Sequence, residues 1–144
     1  MTRRPASELL RLPVRLNGIL LGRPLDLLVD FDARRAIGLD VLCGDDARRF
    51  LPLGAADVRE EAIVVGSPLT LLEESELRFY RDRASTLSRL RGAELECDGD
   101  VVGALRDVEI GADGAVEGVV VELGGHVRTI APTPALRVRA RSAA

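Results

Sequence analysis

The sequence predicts a mainly β protein, two small antiparallel β units with a helix between them. Three observations carry this. Short apolar runs recur with a turn signal every roughly 8–12 residues, the spacing of a sandwich or small barrel. Residue types of the first half return 80 or 81 positions later in the second. Only residues 70–90 carry a helical pattern.

In order, residues 25–31 read as a strand, followed by the turn Asp32-Ala33-Arg34-Arg35 and a strand over 37–43. There Leu39, Val41 and Cys43 alternate with Asp40, as on a half-buried strand. Gly44-Asp45-Asp46 supplies turn chemistry, because Gly and Asp tolerate positive φ. A short strand over 48–51 ends at Pro52, which withholds an N–H. The second half repeats the plan: strand 105–110, turn Gly111-Ala112-Asp113-Gly114, strand 116–123, turn Gly124-Gly125, and strand 126–130 before Pro132.

An offset of 80 pairs Gly38 with Gly118, Gly44 with Gly124, Arg48 with Arg128, Phe50 with Ile130, Pro52 with Pro132 and Val58 with Val138. Upstream the offset is 81, pairing Gly22 with Gly103, Asp26 with Asp107, Val29 with Ile110 and Asp32 with Asp113. The residue is lost in a turn, where a deletion costs least. Such a repeat predicts two units related by a pseudo-two-fold.

Between them, Thr70 and Glu73 fit a capping box, and Glu73, Glu74 and Glu76 suit the positive start of a helix. Leu77, Tyr80, Ala84, Leu87 and Leu90 form its apolar stripe. Ser85-Thr86 is a break point, with Ser85 capping a second turn. Residues 1–7 and 140–144 are expected to fray. The apolar runs at 18–21 and 118–121 fall far short of the ~20 residues of a membrane span. No apolar run follows Arg3-Arg4, so no secretory signal is read and a cytoplasmic location is expected.

Leu16-Asn17-Gly18, then Gly22-Arg23-Pro24-Leu25-Asp26, and in the second half Gly99-Asp100-Val101-Val102-Gly103-Ala104-Leu105-Arg106-Asp107 resemble the opening of PRC-barrel repeats. Arg49-Phe50-Leu51-Pro52-Leu53 resembles that family's later strand; the second half has Thr129-Ile130-Ala131-Pro132-Thr133 and lacks the Leu. The resemblance implies PRC-barrel-like units over residues 8–68 and 91–139, with 69–90 as a helical linker. It also implies a protein-binding or assembly role; relatives in ribosome maturation offer an RNA- or ribosome-associated factor as the alternative.

Composition narrows the chemistry. With 47% hydrophobic residues the chain has the material for a core, which excludes general disorder. A net charge of −3 and only 3% aromatics argue against nucleic acid as partner. Every residue counted as Lys or Arg is Arg, so lysine chemistry is excluded. His126 stands alone without a metal or nucleophile motif, and reads as an exposed hairpin residue. Asp98-Gly99-Asp100 lacks the later ligands of a calcium loop and reads as a hairpin turn. Gly111-Ala112-Asp113-Gly114 opens no helix and so is no phosphate cradle. Cys43 and Cys97 read as small buried hydrophobes. No enzyme activity, cofactor or metal is expected.

The expectation is an interaction module for an unidentified protein partner, with a homo-oligomer also compatible. A small-ligand binder using a groove between the units is the weaker alternative. Arg34, Arg35, Asp45, Asp46 and Arg48 sit on successive hairpin tips of the first unit and are expected to share one docking rim. Their second-half counterparts carry far less charge. Arg49 is expected to face away from Arg48 and Phe50, alongside Leu51.

Overall fold

In the computed structural model, which describes residues 3–111 and 113–139, the chain is mainly β, with 51% strand and 18% helix. β1 (Arg4–Pro5) and α1 (Ala6–Leu9) come first, then β2 (Val14–Leu16), β3 (Ile19–Asp30), β4 (Arg35–Cys43), β5 (Arg48–Pro52), β6 (Asp57–Val58) and β7 (Ile63–Val64). α2 (Glu74–Arg83), β8 (Ser85–Thr86) and α3 (Leu87–Leu90) lead into β9 (Glu94–Cys97), β10 (Asp100–Ile110), β11 (Val116–Leu123), β12 (His126–Ile130) and β13 (Leu136–Val138).

Two sheets result. The first runs β5-β4-β3-β2-β7-β6 and the second β12-β11-β10-β9-β13. Among the described residues neither sheet closes into a barrel. The two-residue turns Asn17-Gly18 and Asp98-Gly99 close the β2–β3 and β9–β10 hairpins with φ of 50° and 80°, and 52° and 87°. These positive angles are those of type I′ turns, whose twist matches the flanking strands.

The lead segments of the two halves are exchanged. β1 pairs with β10 of the second sheet, Arg4 opposite Ile110 and Pro5 opposite Glu109. β8 pairs with β3 of the first sheet, Ser85 opposite Val29 and Thr86 opposite Leu28. Each of these pairs recurs 81 positions along. Of residues 1–7, expected to fray, 4–7 are thus strand and helix, and Ala6 and Leu9 are fully buried. Residues 1, 2 and 140–144 lie outside the described residues. One core holds Leu9, Leu27, Leu39, Leu87, Val108 and Val119, so both sheets and both short helices share it.

Where the halves meet, the Ala36 amide donates to the Gly114 carbonyl and the Val116 amide to the Arg34 carbonyl, each at 2.8 Å. They flank the bridge between Arg35 and Ala115. Gly22 and Gly103 explain the spacing of the repeated motif. A Cβ at Gly22 would sit 2.4 Å from the Leu42 carbonyl oxygen, and one at Gly103 2.7 Å from that of Glu122. Four residues on, Asp26 and Asp107 follow matching bulges in β3 and β10.

Several local expectations are corrected. The helix starts at Glu74, not Thr70, because the Thr70 hydroxyl donates to the Ser67 carbonyl (2.7 Å) in a separate 3-10 turn over Pro68–Thr70. It also stops at Arg83; Ser85 and Thr86 pair with β3, and the side chain of Thr86, not Ser85, caps α3. Finally, Phe50 does not correspond to Ile130. Leu39 pairs with Leu51 and Val119 with Ile130, so Leu51 matches Ile130, Phe50 matches Thr129, and Arg49 rather than Arg48 matches Arg128. The β11–β12 hairpin has the tighter Gly124-Gly125 turn, which removes one residue. Val58 and Val138 likewise part company: Val58 pairs with Ile63, and Val138 pairs with Leu95 of β9.

Candidate docking surface

The five charged residues expected to share a rim are split between two ends of β4. Arg34 and Arg35 lie at the β3–β4 turn, while Asp45, Asp46 and Arg48 lie at the β4–β5 hairpin. β4 has nine residues, which at ~3.3 Å per residue sets those ends roughly 26 Å apart. Successive hairpins of an antiparallel meander alternate ends, and this excludes a single rim.

Most of the five are also occupied. Arg34, at φ 56°, lays its guanidinium 4.6 Å from the Phe31 ring centre. It donates to the carbonyls of Phe31, Thr133 and Leu136, and thereby ties the segment before β13 to the first half. Arg35 donates to the Asp113 carbonyl at 2.7 Å, again across the junction between halves. Arg48 grips the carboxylate of Asp40, which is 1% exposed, and this hydrogen bond raises the pKa of the guanidinium. Asp45 accepts two bonds from Arg49, at 2.9 and 2.8 Å. That guanidinium, helped by the Ala47 amide, holds the Asp45 carboxyl at about 2. Asp46, at φ 64°, is an exposed turn residue.

A contrast between the sheets locates the better candidate. On the first sheet Phe50, Leu28 and Leu77 form a second apolar cluster on the face away from the main core. Tyr80 of α2 stacks on Phe50 with ring centres 4.4 Å apart. The edge of β5 is covered too: Phe50 and Leu72 exchange amide–carbonyl bonds of 2.9 and 2.7 Å. On the second sheet the residues matching Leu28, Asp40 and Phe50 are Glu109, Val120 and Thr129. Glu109 accepts from Arg3, and Glu122 pairs with Arg106. β12 exposes His126, Val127, Arg128 and Thr129, and among the described residues only β11 pairs with it. Composition hides this site, because what distinguishes β12 from β5 is a single-residue bridge supplied by Leu72.

The clefts offer less. One, about 660 Å³, is lined by Arg3, Arg4, Glu8, Val58, Arg59 and Glu60 among others. Arg4 is already committed there to the Arg59 and Glu60 carbonyls and to Glu8. A groove of about 350 Å³ between the halves is floored by Leu53, Gly54, Ala56 and Gly114 and flanked by Asp57 and Asp113. It presents no convergent set of donors for a ligand. Among the described residues no three His, Cys, Asp or Glu side chains are grouped to hold a metal, and no helix is long and apolar enough to cross a membrane. Cys43 is buried and Cys97 half-buried. Comparison of the sequence with protein-family models and with curated proteins gives no match.

Proposed function

We propose that the chain is a non-catalytic assembly module of the PRC-barrel type, two repeats related by a pseudo-two-fold, which docks a protein partner on its second half. The repeat part of this reading is supported by the exchanged lead segments, the paired bulges at Asp26 and Asp107, and the reciprocal bonds about Arg35 and Ala115. The docking part rests on one observation. α2 covers the outer face of the first sheet and Leu72 bridges its β5 edge at Phe50, whereas among the described residues β12 is paired by β11 alone. Unpaired edges are normally blunted in a protein that has no use for them.

The test is affinity capture from the native host with the full chain, against a chain carrying Thr129→Pro. A discrete protein that is retained by the parent and lost with the variant supports the reading. Circular dichroism of the variant must match the parent for this to count. Retention of ribosomal particles instead, insensitive to the change in β12, overturns it in favour of a ribosome-associated factor.

A further inference from the structure

In each sheet the last hairpin strand has one edge turned away from its neighbour. On β5 the outward groups belong to Arg48 and Phe50, and Phe50 spends both its amide and its carbonyl on Leu72. The register of β12 gives the same roles to Val127 and Thr129, with Arg128 and Ile130 turned toward β11. Alternate residues of an antiparallel strand bond to opposite sides. Val127 and Thr129 therefore offer two amides and two carbonyls at an edge that no described residue pairs with.

The side chains say what would fit. Val127 is 63% exposed, an aliphatic surface beside half-buried Val120. Arg128 occupies the place of Arg49. Arg49 receives a carboxylate, Asp45, from its own hairpin. The hairpin before Arg128 is Gly124-Gly125 and has no side chain to give, and among the described residues no carboxylate lies within ion-pair distance of Arg128. The nearest acid across the strand pair, Glu122, is held by Arg106. β12 itself carries no acidic residue and adds His126 to the same edge.

We propose that β12 takes up, as an added antiparallel strand, an extended segment of a partner protein in which leucine-type residues are followed by carboxylates. Main-chain bonds to Val127 and Thr129 hold it, and its carboxylate closes on Arg128. Both parts have a counterpart at the β5 edge of the same chain, where Leu72 supplies the main-chain bonds to Phe50 and Asp45 supplies the carboxylate to Arg49. In strand addition the main chain supplies affinity, and alternate side chains supply selection. The inference rests on the assembly reading and adds the partner's chemistry to it.

The experiment is an amide-resolved NMR titration of the full chain with an end-capped peptide copying residues 69–76, and with a copy whose glutamates are glutamines. Saturable shifts centred on Val127 and Thr129 are expected. The glutamine peptide and the variant Arg128→Glu should each bind about fivefold more weakly, and added salt should narrow that difference. Thr129→Pro removes one edge amide and should abolish binding; if it misfolds, Arg128→Glu decides alone. Absence of saturable shifts at millimolar peptide overturns the proposal, as do shifts confined to β5 or binding indifferent to Arg128→Glu. Failure of the peptide while host capture still depends on Thr129 overturns the acidic-segment chemistry and leaves the assembly reading standing. A concentration-dependent dimer of the chain alone, lost with Thr129→Pro, assigns the edge to a second copy and overturns it as well.

Discussion

Ser7 donates its backbone amide (3.3 Å) and its hydroxyl (2.6 Å) to the carboxylate of Asp107, 100 residues further along the chain. Ser88 makes the same pair of bonds to Asp26. Each serine is the second residue of a four-residue helix whose unsatisfied amides need an acceptor, and the acceptor comes from the other half. Each aspartate also accepts from the amide that follows it, Val108 or Leu27, at its bulge. Replacing Ser7 by Ala should cost about 1 kcal/mol, and Asp107 by Ala about 2–3 kcal/mol, because the second change leaves donors unpaired. Asp26→Ala should behave like Asp107→Ala. Urea unfolding monitored by circular dichroism reads all three, and a neutral Asp107→Ala contradicts the argument.

The glycines that open each motif are expected to resist even one added carbon. Gly22→Ala drives a Cβ toward the Leu42 carbonyl, and Gly103→Ala adds a φ of 140° to a similar clash with Glu122. Overpacking of this kind costs about 1–3 kcal/mol. Gly54→Ala, which meets open space at a φ that side chains accept, is the control and should leave the melting temperature unchanged.

Arg34 and Arg35 are neighbours with opposite expectations. Arg34→Ala gives up bonds to three carbonyls and should lower stability by about 2 kcal/mol. Arg35 is an exposed side chain whose 2.7 Å bond to the Asp113 carbonyl and 4.0 Å ion pair with that residue both lie in solvent, so Arg35→Ala should change stability by about 0–1 kcal/mol. Paired thermal melts check the ranking. Charge reversal across both residues is therefore expected to destabilise, rather than to leave folding untouched.

Acid should release the Asp45–Arg49 pair of the β4–β5 hairpin. The bond from Arg49 depresses the Asp45 carboxyl from 3.8 to about 2, so its contribution is complete above the unfolded value and is lost as pH falls through about 2. A comparison of the parent with Asp45→Asn should show the parent more stable at neutral pH, with the gap closing between pH about 4 and about 2. A gap independent of pH contradicts the assignment.

Much of the fold was legible in the residues. Strands 116–123 and 126–130 have their expected limits, and the Gly22/Gly103 and Asp26/Asp107 pairs fall on matching bulges. The exchange of lead segments was not, for a physical reason. Residues 4–9 and 85–90 share only Ser7 with Ser88 and Leu9 with Leu90, and strands of two residues have no period to detect. Turn chemistry gave the hairpins but not their ends of the sheet, so five charged residues were gathered into one rim that β4 divides. The open edge of β12 was invisible for the opposite reason. Among the described residues what sets it apart from β5 is the docking of Leu72 on Phe50, and a leucine before a helix looks the same wherever it docks.

Burial of Ala6 and Leu9 against β10 sets a timetable for the ribosome. α1 leaves the ribosome well ahead of β10, the strand that covers it, which ends at Ile110. At ~5–20 residues per second the nascent chain waits about 5–20 s between making α1 and completing the strand that receives it. For most of that interval the first sheet also lacks β8 and α3, so β2 to β5 are synthesised well before the segments that complete their sheet.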